Sequence, residues 1–152
     1  MHALLRAGPQ PATEVGALVD ALHSELDVVR FHAAIALGDL GTDGRPAVPA
    51  LIHASLWDEE PAGRVTAAMA LRKIDDNNGP LVIRALTEAL GDANELICWV
   101  AAEYLGQIGP AAGQAVPALR QALQRDFRLS LIKTGVRLAI ERIDPRPPAG
   151  VG

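Results

Sequence analysis

The chain has 152 residues, of which 49% are hydrophobic but only 3% aromatic, with a formal net charge of −4 and a pI near 5.5. That is enough apolar content for one ordinary core. The acidic balance argues against a general nucleic-acid binder, which needs a basic stripe. The single cysteine, Cys98, excludes an internal disulfide, and no apolar run approaches the ~20 residues of a membrane span.

At the N-terminus, MHALLRAGPQ is too short an apolar run for a signal peptide, which points to the cytoplasm. LLRAGPQPATEVGAL (Leu4–Leu18) aligns without gaps on LGQIGPAAGQAVPAL (Leu105–Leu119). Residues 1–12 are therefore expected to be a partial leading repeat, and 13–144 the repeat domain.

Within that domain the same pair of helices recurs. The first helices share ALVDAL at Ala17, ALIHAS at Ala50, ALTEAL at Ala85 and ALRQAL at Ala118. Leu18, Leu51, Leu86 and Leu119 share a column with Ala21, Ala54, Ala89 and Ala122 three residues on, one helical face. Pro49, Pro80 and Pro117 fall in first turns, where a missing N–H costs nothing. Polar turns follow, reading SELD, WDEE, GDAN and QRDF, and their aspartates, Asp27, Asp58, Asp92 and Asp126, are placed to cap the next helix.

The second helices carry the clearest signature. VRFHAAIALGDLG (Val29–Gly41) returns as GRVTAAMALRKID, ICWVAAEYLGQIG and IKTGVRLAIERID, and the Ala33 column next holds Ala67, Ala101 and Val136 at spacings of 34, 34 and 35 residues. A fixed period of this size means stacked repeats. The expected fold is all-α: an α-α superhelix of about four helix-turn-helix repeats, with no strand and no domain break. GTDGRPAVP, DDNNGP and GPAAGQAVP read as helix stops. The Pro- and Gly-rich residues 145–152 are expected to be a disordered tail.

The combination A-V-P-A-L, an acidic turn, then V-R-x-x-A-A-x-A-L-G resembles the HEAT repeat, most of all the short bacterial variety of phycobilisome-lyase-type proteins. The resemblance implies a scaffold for binding rather than a particular activity. It also implies that the arginine column, Arg30 and Arg64, pairs with turn aspartates of neighbouring repeats, a ladder broken by Cys98 and Lys133.

The columns that stacking does not need are the candidates for function. Val29, Ala33, Ala34, Ala36, Leu37 and Leu40 read as core. The free columns hold Phe31, Val65, Trp99 and Thr134, and four residues on, Ile35, Met69, Glu103 and Leu138. Phe31, Ile35, Val65, Met69, Trp99 and Glu103 are thus the candidate partner-binding residues, forming an apolar strip for a peptide or helix on the concave side. A shift of one column in helix phase would make them core instead. The column Asp39, Lys73, Gln107 and Arg142 has no single sign, so it does not track phosphates.

Charge is uneven: Met1–Leu119 holds seven basic and fifteen acidic residues, Arg120–Gly152 seven basic and three acidic. The basic end suits a solvated cap or an acidic partner, including another copy of the chain through uncovered terminal faces.

No catalytic constellation appears. His2, His23, His32 and His53 include no i, i+3 or i, i+4 pair, so no metal site is expected, and there is no P-loop, GxSxG or CxxC. No cofactor is expected. The leading function is a non-catalytic protein-interaction module or scaffold section. The alternative is an accessory lyase-like or chaperone-like protein that handles a cofactor or chromophore, which would need a reactive Cys98 or a pocket beside Trp99. DNA binding ranks third, against the acidity.

Overall fold

The structure, a computed structural model, describes residues 11–146. The expected leading fragment and tail therefore lie almost wholly outside the described residues. Among those residues every regular element is helical: α1 (Pro11–Ala21), α2 (Asp27–Asp39), α3 (Val48–Trp57), α4 (Pro61–Ile74), α5 (Gly79–Ala89), α6 (Glu95–Ile108), α7 (Val116–Ala122) and α8 (Ser130–Ile143). Three 3-10 segments, Gly41–Ala47, Asp76–Asn78 and Gly109–Ala115, join one repeat to the next. The chain is all-α and built of repeated helix pairs, as its period requires.

The helices group into two compact units, Met1–Val82 and Ile83–Gly152, with the boundary inside α5. In the first, α4 packs on both α2 and α3, and α1 packs on α2. In the second, α8 packs on both α6 and α7.

Each core is made of the repeated columns. Leu37, Leu51 and Leu71 are fully buried in the first unit, and Leu86, Leu105 and Leu119 in the second. Each such side chain contributes roughly 1.5–3 kcal/mol on burial. The alanine column is equally inside, with Ala33, Ala67 and Ala101 all buried. Small side chains there let paired helices approach. The closest points are glycines: a Cβ on Gly38 would lie 3.0 Å from the Ala70 Cα, and one on Gly106 3.2 Å from the Ala139 Cα. Gly106 therefore lies inside α6 as a packing residue. Val29 is a partial exception among the expected core residues, 37% exposed at the start of α2.

Two local expectations change. The glycine-rich stretches do not simply stop the helices. Gly41 (φ +58°) and Gly109 (φ +77°) turn the chain through the left-handed region that only glycine adopts freely, and a 3-10 segment leads from each into the next repeat. The prolines behave as read: Pro49, Pro80 and Pro117 occupy the first turns of α3, α5 and α7, and Pro61 likewise begins α4.

The turn aspartates also act differently from helix caps. The N-cap positions of α2, α4, α6 and α8 are Leu26, Glu60, Asn94 and Leu129, and of these Asn94 alone supplies a side-chain cap, accepting from Leu96 N. Asp58 Oδ1 accepts from Glu60 N at 2.8 Å and Asp92 Oδ1 from Asn94 N at 2.7 Å. These are Asx turns that shape the approach to the helix. Asp27 is the first residue of α2, and its Oδ1 accepts from Val28 N.

Candidate functional site

Of the six residues expected to form a strip, Phe31 and Ile35 lie on the surface of α2, 36% and 38% exposed. They are four residues apart and so share one face. Val65 and Met69, the same columns in α4, are instead buried at 3% and 6%. The surface reading is wrong for these two, because α4 is packed on by α2 and α3 together and keeps little free surface. Trp99 and Glu103 on α6, in the second unit, are half-buried. The Trp99 indole lies over Gly135, where an added Cβ would come within 2.8 Å of it. Glu103 meets Arg142 at 3.5 Å. Within the first unit, therefore, no continuous exposed strip runs from Phe31 and Ile35 through Val65 and Met69.

Cys98 is fully buried, and burial pushes its thiol above the ordinary range, against a smaller lowering by Arg125. No cluster of three or more His, Cys, Asp or Glu residues suited to a metal ion occurs among the described residues. The mixed column is exposed, with Lys73 bridging to Asp39 at 3.3 Å. On α8, Leu131 and Leu138 are exposed at 64% and 46%.

The most elaborate chemistry sits at the turns between paired helices. Arg30 donates from Nε to Asp58 Oδ2 at 3.0 Å and from Nη2 to Asp58 Oδ1 at 3.4 Å, a forked pair. Its Nη1 donates to the carbonyls of Ser24 and Glu25 at 2.9 and 3.1 Å. The hydrogen bond with Asp58 is the main reason the Arg30 pKa is raised. This is the rung of the ladder that the resemblance implies.

One carbonyl column is served in the first three turns of this kind. Ser24 O accepts from Arg30, Asp58 O from Arg64 Nη1 at 2.6 Å, and Asp92 O from Arg125 Nη2 at 2.7 Å. Where Cys98 replaces the helix arginine, the guanidinium thus comes from the other direction, from the turn that follows α7. Arg125 also reaches Leu90 O with Nη1 at 2.8 Å and lies 4.9 Å from the centroid of the Phe127 ring.

The Arg30–Asp58 pair borders two concavities of the first unit. One, about 160 Å³, lies beside Phe31, Val28, Ala62 and Gly63. The other, about 350 Å³, lies between the C-terminal ends of α1 and α3 and includes His23, His53, Trp57 and Glu59. Trp57 is 69% exposed, the most exposed large apolar residue among the described residues. Sequence reading passed over it as part of a polar turn. The signal that could have found it is its column, which two repeats later holds Arg125.

Antiparallel helix pairs at this period, with an arginine–aspartate rung and proline-started first helices, define a helical-repeat protein. The family model for HEAT repeats matches residues 48–140, and that for the PBS lyase HEAT-like repeat matches residues 29–56. The chain belongs to the HEAT repeat family. No curated protein matches it. HEAT repeats generally mediate protein–protein interaction and are generally non-catalytic. Among the described residues no helix is long and apolar enough to cross a membrane.

Proposed function

We propose that the chain is a non-catalytic interaction module that takes a segment of a partner protein, with Phe31 and Ile35 of α2 as its apolar anchor. The observation that carries this reading is their exposure, 36% and 38%, at columns whose α4 counterparts, Val65 and Met69, are buried. Apolar side chains that a repeat leaves in water at positions it elsewhere covers are available for a partner. The shallow cleft beside Phe31 offers a place for one inserted side chain. An amphipathic helix or an extended segment laid along α2 would meet both residues.

The test is affinity capture from the native source with the wild-type chain and the Phe31→Ala/Ile35→Ala variant side by side. Both residues are part-exposed, so the variant is expected to fold with little loss of stability and to lose the specific partner. An unchanged set of captured proteins refutes this anchor.

The second reading is an accessory protein of lyase-like or chaperone-like kind, handling a chromophore for an enzyme. Its support is the match of residues 29–56 to the PBS lyase HEAT-like repeat. Burial of Cys98 counts against covalent attachment there, because a thiol must be exposed and ionised to react. A tetrapyrrole titration without a saturable absorbance change would remove the non-covalent form.

A further inference from the structure

The groove at Trp57 has a twin within the same chain, and an arginine forms part of the twin's wall. In the first unit it is lined by Leu22, Ala50, His53, Ala54 and Trp57. In the second unit a groove of the same volume, about 350 Å³, is lined by Leu90, Ala118, Gln121, Ala122 and Arg125, the same columns two repeats on. There, the last column reaches in with a guanidinium. Arg125 donates to the Leu90 and Asp92 carbonyls at the end of one first helix and packs against the Phe127 ring.

The first unit offers the same acceptors without that donor. Ser24 O, in the column of Asp92 O, is held by Arg30, but no donor meets the Leu22 carbonyl, in the column of Leu90 O, among the described residues. Trp57 replaces the arginine and presents an indole, the best of the aromatic faces for a cation. Glu25 and Glu59 line the same groove, exposed and outside every ion pair among the described residues. The C-terminal ends of α1 and α3 both point here, adding negative potential. Aromatic face, open carbonyl, carboxylates and helix ends favour a cationic guest, and the charge of Arg30, which also lines the groove, is already met by Asp58.

From this juxtaposition we infer that the Trp57 groove binds an arginine side chain presented by a partner protein, in the place that the chain's own Arg125 takes in the second unit. The guanidinium stacks on the Trp57 indole, donates to the Leu22 carbonyl and is neutralised by Glu25 and Glu59. Phe31 and Ile35 line no part of this groove, so the inference stands or falls independently of the anchor proposed above.

The experiment is an NMR titration of the 15N-labelled full chain with the blocked peptide acetyl-Gly-Ala-Arg-Ala-Gly-amide, with the same peptide carrying citrulline for arginine as the neutral isostere. The expected result is a saturable shift of the Trp57 indole N–H and of the amides around Leu22, with the Trp99 indole unmoved. Citrulline and the Trp57→Ala variant are each expected to weaken binding about tenfold or more. Trp57→Arg is expected to abolish it, because the indole is lost and the installed guanidinium takes the Leu22 carbonyl, as Arg125 takes that of Leu90. Phe31→Ala/Ile35→Ala is expected to bind the peptide as wild type does. Absence of a saturable shift at Trp57, equal binding of the citrulline peptide, or shifts confined to the residues around Phe31 would overturn the assignment.

Discussion

The guanidinium of Arg30 and the carboxylate of Asp58 meet through two hydrogen bonds, at 3.0 and 3.4 Å, and so join the second helix of one repeat to the turn of the next. The carboxylate is nearly out of solvent, its side chain 5% exposed, and it rests on the first turn of α4 at Gly63. A Cβ at Gly63 would lie 2.5 Å from the Asp58 Cγ, so the glycine makes room for the carboxylate.

Replacing Arg30 by Lys keeps the charge but loses the fork, and a single ammonium cannot serve Asp58, Ser24 O and Glu25 O together. The expected outcome is a Tm lowered by several degrees, with faster amide exchange across the turn from Ser24 to Asp27. Arg64→Lys should cost less, since Arg64 makes one such bond, to Asp58 O. Thermal melts and hydrogen exchange on the two variants check the order. Equal losses would mean that the forked pair adds nothing to the carbonyl contact.

The repeat period made much of this legible. Alternation of Ala33, Ala67 and Ala101 with Leu37, Leu71 and Leu105 identifies the buried face of each second helix without coordinates, because any stacked repeat must hide the same columns. What the period does not contain is the neighbour. Phe31 and Val65 share a column, yet one is exposed and the other buried, because the cover comes from whatever the adjoining helices present at that point. Trp99 is half-covered for a reason far along the chain: Gly135 leaves the space its indole lies over. The turns were misread for a related reason. Asp58 fits an N-cap by position, but with Pro61 beginning the helix it forms an Asx turn and gives its remaining capacity to Arg30.

The glycines divide by what faces them, and substitution should follow that division. Gly38 touches the Ala70 backbone, so Gly38→Val must push α2 from α4 and is expected to cost about 1–3 kcal/mol. Gly16, inside α1, has nothing within 4 Å of an added Cβ. Gly16→Ala should therefore stabilise by about 0.5–1 kcal/mol through helix propensity alone. Urea unfolding of both variants tests the signs. A destabilised Gly16→Ala would contradict the open space seen on α1.

The Trp99–Gly135 contact makes a spectroscopic prediction. An alanine at Gly135 would bring its Cβ within 2.8 Å of the indole and displace it. In a Trp57→Phe background, where Trp99 is the sole tryptophan, Gly135→Ala should shift the emission to longer wavelength and lower stability. Emission unchanged from the parent would show that the indole rests elsewhere.

Cys98 gives the pH dependence. Its thiol is buried, and that burial raises its pKa in the folded chain. The folded state therefore holds its proton to higher pH than the unfolded state does. Above the ordinary thiol range, near pH ~8.5, the unfolded chain binds fewer protons, so folding stability falls as pH rises. Below that range the stabilisation is fully present. Cys98→Ala should flatten this alkaline decline. In the wild-type chain at pH 8, a thiol reagent should react with Cys98 at the rate of local or global opening, and promptly in denaturant. Prompt labelling of the folded chain would place the thiol at the surface and return the lyase-like reading to contention.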